Sequence, residues 1–175
     1  MRGVAQACAR QGVWMLLALA LASCAVKPPP SPTQADRVVV RKGERTLELY
    51  HGKRLLRTYR VNLGKAPRGH KMQEGDQRTP EGEYVLNWRN PNSRFHKAIH
   101  ISYPNARDRE LARVLGVNPG GLIMIHGRPN RIVPPATPDD YARIDWTDGC
   151  IAVSNEAMDE IWNLVPDGTP IRILP

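Results

Sequence analysis

Cysteine is scarce in this chain of 175 residues: there are three, at positions 8, 24 and 150. A disulfide-stapled core needs more pairs than that, and a structural zinc site needs a thiolate cluster that is absent here. The Asp and Glu residues are dispersed and fall into no metal-ligand spacing, so neither a metal nor a cofactor is expected. No apolar run is long enough to cross a bilayer; the longest, Val13 to Ala22, is about ten residues. The net charge is +8, yet no Lys/Arg block with interleaved aromatics accompanies it, which argues against nucleic acid as a partner. A basic surface of this kind suits an anionic envelope polymer or membrane. No internal repeat is visible, and the length suits one domain with its own core.

What is present at the N-terminus points to a compartment. Arg2 and Arg10 form a basic n-region, no acid precedes Asp36, and Val13 to Ala22 has the length of a signal h-region. The run ends Leu21-Ala22-Ser23-Cys24. That tetrapeptide resembles the bacterial lipobox, which implies cleavage before Cys24 and a diacylglyceryl group on its thiol. Ala25 after the Cys resembles the pattern for an outer-membrane destination. Residues 1–23 are thus expected to be a lipoprotein signal peptide. Residues 24–35 would be the lipidated Cys and a tether rich in proline (Pro28, Pro29, Pro30, Pro32), extended at ~3 Å per residue in polyproline II geometry. The expected location is the periplasmic side of the envelope, on the outer membrane. Cys8 leaves with the signal and Cys24 carries lipid. Cys150 then remains as a lone thiol in an oxidising compartment, where a free thiol is buried or used.

Cys150 has neighbours suited to use. After Gly120 and Gly121, Leu122 to Ile125 form a strand-like run that delivers His126, followed by Gly127. Ile151 to Val153 form a second run, entered from an Asp148-Gly149 turn that places Cys150 at its mouth. A thiol reacts as thiolate, and a nearby imidazole can take its proton. Glycines beside both residues permit close approach of substrate to the backbone. The N–H groups of Gly149 and Cys150 are candidate oxyanion donors. The bland alternative is a small buried Cys and a structural His.

The remaining pattern predicts a mainly β domain over residues 36–175, β-sandwich-like with a mixed sheet and two or three short helices. Arg37 to Arg41, Arg45 to Tyr50 and Leu55 to Leu63 read as a meander of antiparallel strands. Gly64 to Glu81 reads as a long loop. Glu83 to Trp88, Ala98 to Tyr103, Gly121 to His126, Gly149 to Val153 and Pro170 to Leu174 read as further strands. Asp108 to Leu115 reads as a helix with Leu111, Val114 and Leu115 on one face. Asn155 to Val165 reads as another, capped by Ser154, with Met158, Ile161, Trp162 and Val165 inward. His100 falls on the strand face opposite Ile99 and Ile101, as a structural or substrate-lining residue.

Three stretches carry a family resemblance. Gly75-Asp76-Gln77-Arg78-Thr79-Pro80-Glu81-Gly82-Glu83-Tyr84, Ile123-Met124-Ile125-His126-Gly127 and Thr147-Asp148-Gly149-Cys150-Ile151 resemble, in this order, the motifs of the L,D-transpeptidase (YkuD-type) catalytic domain. The resemblance implies a cysteine enzyme of peptidoglycan remodelling. Cys150 would attack the stem-peptide amide at meso-diaminopimelate, His126 would act as base and then acid, and an amine would resolve the acyl-enzyme. Gly149, Asp148 and Gly127 would shape the site. Asp148 stands where the commoner family form has His, and His126 and Cys150 are farther apart than usual. The residues between form an insertion, Arg128 to Asp145, with a short helix at Asp139 to Ile144. Its Arg128 and Arg131, with Thr147, are candidate substrate contacts. The departures resemble a divergent branch that includes hydrolases. The alternatives are therefore water as acceptor, releasing cross-links or bound lipoprotein, and an inactive peptidoglycan-binding lipoprotein, against which the intact Cys150, His126 and Gly149 argue. The implied partners are peptidoglycan stem peptides, the membrane through the N-terminal lipid, and an envelope lipoprotein as acceptor or substrate.

Overall fold

The computed structural model describes residues 33–132, 137 and 139–175. The expected signal peptide, Cys24 and the tether through Pro32 lie outside the described residues, as do Pro134, Pro135 and Pro138 of the insertion.

The chain forms β1 (Arg37–Arg41), β2 (Thr46–His51), β3 (Arg54–Arg60), β4 (Gly82–Ser93), β5 (His96–Ile101), α1 (Ala106–Leu115), β6 (Met124–His126), α2 (Asp140–Arg143), β7 (Ile151–Ala152), α3 (Asn155–Leu164) and β8 (Thr169–Leu174). The strands make one mixed sheet in the order β3-β2-β1-β8-β4-β5-β6-β7, curled into a half-barrel. Only its first three strands are the expected meander. β8 returns from the far end of the chain to lie parallel to β1 and antiparallel to β4, and β6 runs parallel to β7.

Period-two alternation sets the core. Val38, Val40, Leu47, Leu49, Leu86, Ile99, Ile101, Ile125, Ile151, Ile171 and Ile173 are all buried in one continuous cluster. Each such side chain contributes ~1.5–3 kcal/mol on full burial. α3 adds Met158, Ile161 and Leu164 to it. The start of that helix is set by Ser154, whose hydroxyl accepts the Ala157 N–H at 3.1 Å. Trp162 packs at the edge of the core, half-buried.

Two expectations need correction. α1 does not bury Val114 and Leu115, which are exposed; it buries Asp108 and Ala112. The helix is held by polar contacts. Asn105 and Asp108 form a reciprocal capping box, and the second oxygen of Asp108 lies 3.2 Å from His70 Nε2. Hydrophobic periodicity cannot see a helix seated on a carboxylate. Nor does the strand that delivers His126 begin at Leu122. Leu122 has φ of +54°, is largely exposed, and turns the chain so that the strand starts at Met124.

The loop from 64 to 81 is long but pinned. Asp76 accepts N–H bonds from Met72, Gln73 and Arg78 at 2.7, 3.1 and 3.0 Å, and one from Lys71 Nζ at 2.9 Å. Burial raises the Asp76 carboxyl, but Lys71 and the backbone donors outweigh it and hold it below the usual carboxylate range. Lys42, also buried, donates to the carbonyls of Gly69 and Thr79 and to Glu81.

Candidate active site

β6 and β7 bring the two reactive residues together. Their register pairs Ile125 with Ile151 and His126 with Ala152. Ile125 and Ile151 point into the core, so His126 and Cys150 belong to the other face. Cys150 stands beside Met124, diagonal to His126 on a strand ~4.8 Å away. Its sulfur receives the Met124 N–H at 3.4 Å and lies 3.6 Å from the Leu122 carbonyl.

His126 Nδ1 lies 2.7 Å from the Gly127 carbonyl oxygen. A carbonyl only accepts, so Nδ1 carries the hydrogen and Nε2 is left with its lone pair. The residue is 3% exposed, its ring against Phe95 at 4.7 Å and Trp146 at 5.5 Å between centroids. Tyr141 of α2 stands edge-on to Trp146 at 5.0 Å, so the insertion helps to wall in the imidazole. Burial drives the imidazole down to about 4, against a smaller upward pull from the Gly127 carbonyl. Burial also pushes the Cys150 thiol up; Asp148 adds to this, while the Met124 N–H and Lys71 oppose it. The resting pair is therefore neutral thiol and neutral imidazole. A thiolate then needs a base to take the proton, a part a neutral imidazole can fill.

Thr147 organises the turn before the sulfur. Its hydroxyl donates to the Cys150 carbonyl at 2.8 Å and accepts the Gly149 N–H at 3.1 Å. The Gly149 N–H is thereby taken, which removes one of the two expected oxyanion donors. Gly149 itself has φ of +134°, and a Cβ there would meet the Arg78 carbonyl at 2.7 Å. Both its freedom and its lack of side chain are needed for the loop 64–81 to pack behind the turn. Thr147 is a buried structural residue here rather than an exposed substrate contact.

The other site residues named from sequence fall in different places. Asp148 is exposed and pairs with Lys65 at 2.9 Å. Gly127 lies against Asn155 and His96, and its carbonyl orients the imidazole. Arg128 gives its backbone N–H to Asn155 Oδ1 at 2.8 Å, and Arg131 is exposed. Neither guanidinium has an ion-pair partner among the described residues. The insertion returns to the sheet through Asp145, which pairs with Arg45 at 2.7 Å and accepts the Leu63 N–H at 2.8 Å. α2 falls within the expected short helix. Sequence reasoning misses Lys71, Phe95 and Trp146. Trp146 directly precedes the Thr147 motif, which is the one signal that could find it; Lys71 and Phe95 reach the site only through the fold. A cavity of about 740 Å³, lined by His70, Glu81, Asn105, Asp108 and Arg172 among others, includes neither Cys150 nor His126.

Fold and site together define a curled β domain with a neutral Cys–His pair at the end of β6 and the entry to β7. The family model described as YkuD, L,D-transpeptidase catalytic domain, matches residues 35–173, and the chain belongs to that family. Among curated relatives, YafK of Escherichia coli K12, a candidate L,D-transpeptidase by name, is 35% identical over 130 residues, covering 71% of this chain and 44% of YafK. Among solved structures, the helical cell shape determining protein Pgp2 of Campylobacter jejuni aligns with TM-score 0.59 and 26% identity over 81% of this chain and 48% of its own. An L,D-transpeptidase from Mycobacterium smegmatis shares the fold, with TM-score 0.52 at 15% identity over 81% of this chain and 59% of its own. The chain thus spans about half the length of YafK and Pgp2.

Proposed function

We propose that this chain is a peptidoglycan L,D-transpeptidase with Cys150 as nucleophile and His126 as general base and acid. The observation that carries the reading is the Nδ1–H to Gly127 carbonyl bond, which leaves the His126 Nε2 with its lone pair free to take a proton. The Cys150 sulfur attacks the amide carbonyl at the L-centre of meso-diaminopimelate as Nε2 takes the thiol proton. The N–H of Cys150 itself steadies the oxyanion, since that of Gly149 is occupied. Collapse of the tetrahedral species breaks the C–N bond, and His126 returns the proton to the departing D-Ala amine. An acceptor amine then attacks the thioester, loses its proton to His126 and restores the thiol. Arg128 and Arg131 remain the candidates for the stem-peptide carboxylates, where an Arg fork suits a planar anion. Lipid on Cys24 and the Pro-rich tether hold the domain at the periplasmic face of the outer membrane.

Mass analysis of muropeptides from cells with and without the gene tests the acceptor. The reading expects cross-links formed at diaminopimelate, or lipoprotein attached there, to vanish with the gene. Accumulation of either in its absence instead identifies water as the acceptor and the enzyme as a hydrolase.

A further inference from the structure

The face that carries Cys150 continues across β6 and β5 to β4, where it is built as a platform. His100 pairs with Met124, and Met124 adjoins Cys150, so the three lie in one row on the face opposite Ile99, Ile125 and Ile151. On the next strand the ladder slips: Leu86 pairs with Ile101 and Arg89 with Ile99, so Asn87 and Trp88 together oppose the single residue His100. Such a bulge re-aims side chains without breaking the sheet. Here it lays the Trp88 ring on the His100 imidazole, with centroids 4.7 Å apart and planes 14° apart. His100 Nδ1 is held at 2.7 Å by Asn87 Oδ1, and burial lowers the imidazole below its ordinary value, so the stack stays neutral. Trp88 nevertheless keeps 40% of its surface exposed. A flat, neutral, rigid indole beside a side-chain amide matches a pyranose ring. The sugar's C–H face packs on the indole while its hydroxyl and acetamido groups find polar partners.

We propose that Trp88, backed by His100 and Asn87, is a glycan subsite that holds the amino-sugar end of the strand whose stem peptide reaches Cys150. The proposal rests on the reaction assigned above, and the spacing agrees with it. Trp88 and Cys150 are three strand steps apart, roughly 14 Å. Diaminopimelate is the third residue of the stem; three extended residues span about 10–11 Å, and the lactyl link and γ-linked glutamate add a few ångströms.

Two measurements on the full chain in detergent test this. The first compares steady-state kinetics on a disaccharide-tetrapeptide and on the sugar-free tetrapeptide. Trp88→Ala should raise KM for the disaccharide substrate about 10-fold, spare kcat, and leave the free peptide unaffected; Trp88→Tyr should restore most of the loss. Equal effects on both substrates, or none on either, overturn the subsite. The second titrates the Cys150→Ala protein with an N-acetylglucosamine tetramer and follows the tryptophan indole N–H resonances. One resonance, absent in Trp88→Ala, should move; if none moves, the subsite is wrong. If it moves while neither peptide is turned over by the unmodified chain, the glycan site stands and the assigned reaction falls.

Discussion

Thr147 shows how much of the site rests on one hydroxyl. It satisfies a buried N–H and a carbonyl in the turn that ends at Cys150. Thr147→Val keeps the shape and leaves both unpaired, at a cost of ~1–3 kcal/mol. Chemical denaturation should show that loss, Thr147→Ser should recover it, and turnover should fall with the valine alone. His126 makes a different demand. Its pKa is about 4 in the fold against 6.5 as the ordinary value. As pH falls, the unfolded chain takes up the proton first, so this contribution is fully present above 6.5 and lost by about 4. The loss is on the order of 3 kcal/mol. Denaturation midpoints measured between pH 7 and 4 should drop in the parent chain and drop less in His126→Gln. A parent curve no steeper than the variant's means the imidazole is not buried neutral. Cys150, His126, Gly127 and Gly149 are legible in the sequence because each sits in a short run with a chemical signature. Phe95, Lys71 and the occupied Gly149 N–H are not, because contacts between distant segments decide them.

At the scale of elements, the loop 64–81 is a pinned backing for the Gly149-Cys150 turn despite its glycines. Asp76 is its hub. Asp76→Ala strands the Lys71 ammonium and three backbone N–H groups, at a cost of ~3–5 kcal/mol. Hydrogen exchange should show residues 64–81 losing protection before β1 and β2 do. Uniform loss across the sheet would mean the loop has no separate anchor. The sequence marks this stretch as a motif and as a loop, but carries no sign that two lysines are buried to hold it. α1 is legible as a helix, while its buried face is not, since Asp108 is seated by His70 rather than by an apolar contact. Strand alternation places the core well. It does not reveal the parallel insertion of β8 beside β1, which depends on the last segment returning past six earlier strands.

For the whole molecule, the proposed lipidation at Leu21-Ala22-Ser23-Cys24 is open to a direct test. Cys24→Ala should abolish incorporation of radiolabelled fatty acid and shift the protein out of the membrane fraction, with the catalytic domain's fold unaltered. Retained label would refute lipidation at this residue. On the lipidation reading Arg2 and Arg10 leave with the signal, and the net charge of +6 that remains suits an anionic wall polymer. The central claim is chemical, and one measurement addresses it directly. Rapid-quench intact-mass analysis of the protein with a disaccharide-tetrapeptide should show a mass gain equal to the substrate minus one D-Ala, localised to Cys150. The adduct should be absent in Cys150→Ala and form ~10²–10⁴ more slowly in His126→Ala. Release of D-Ala by the Cys150→Ala protein, or an adduct on any other residue, would contradict the account.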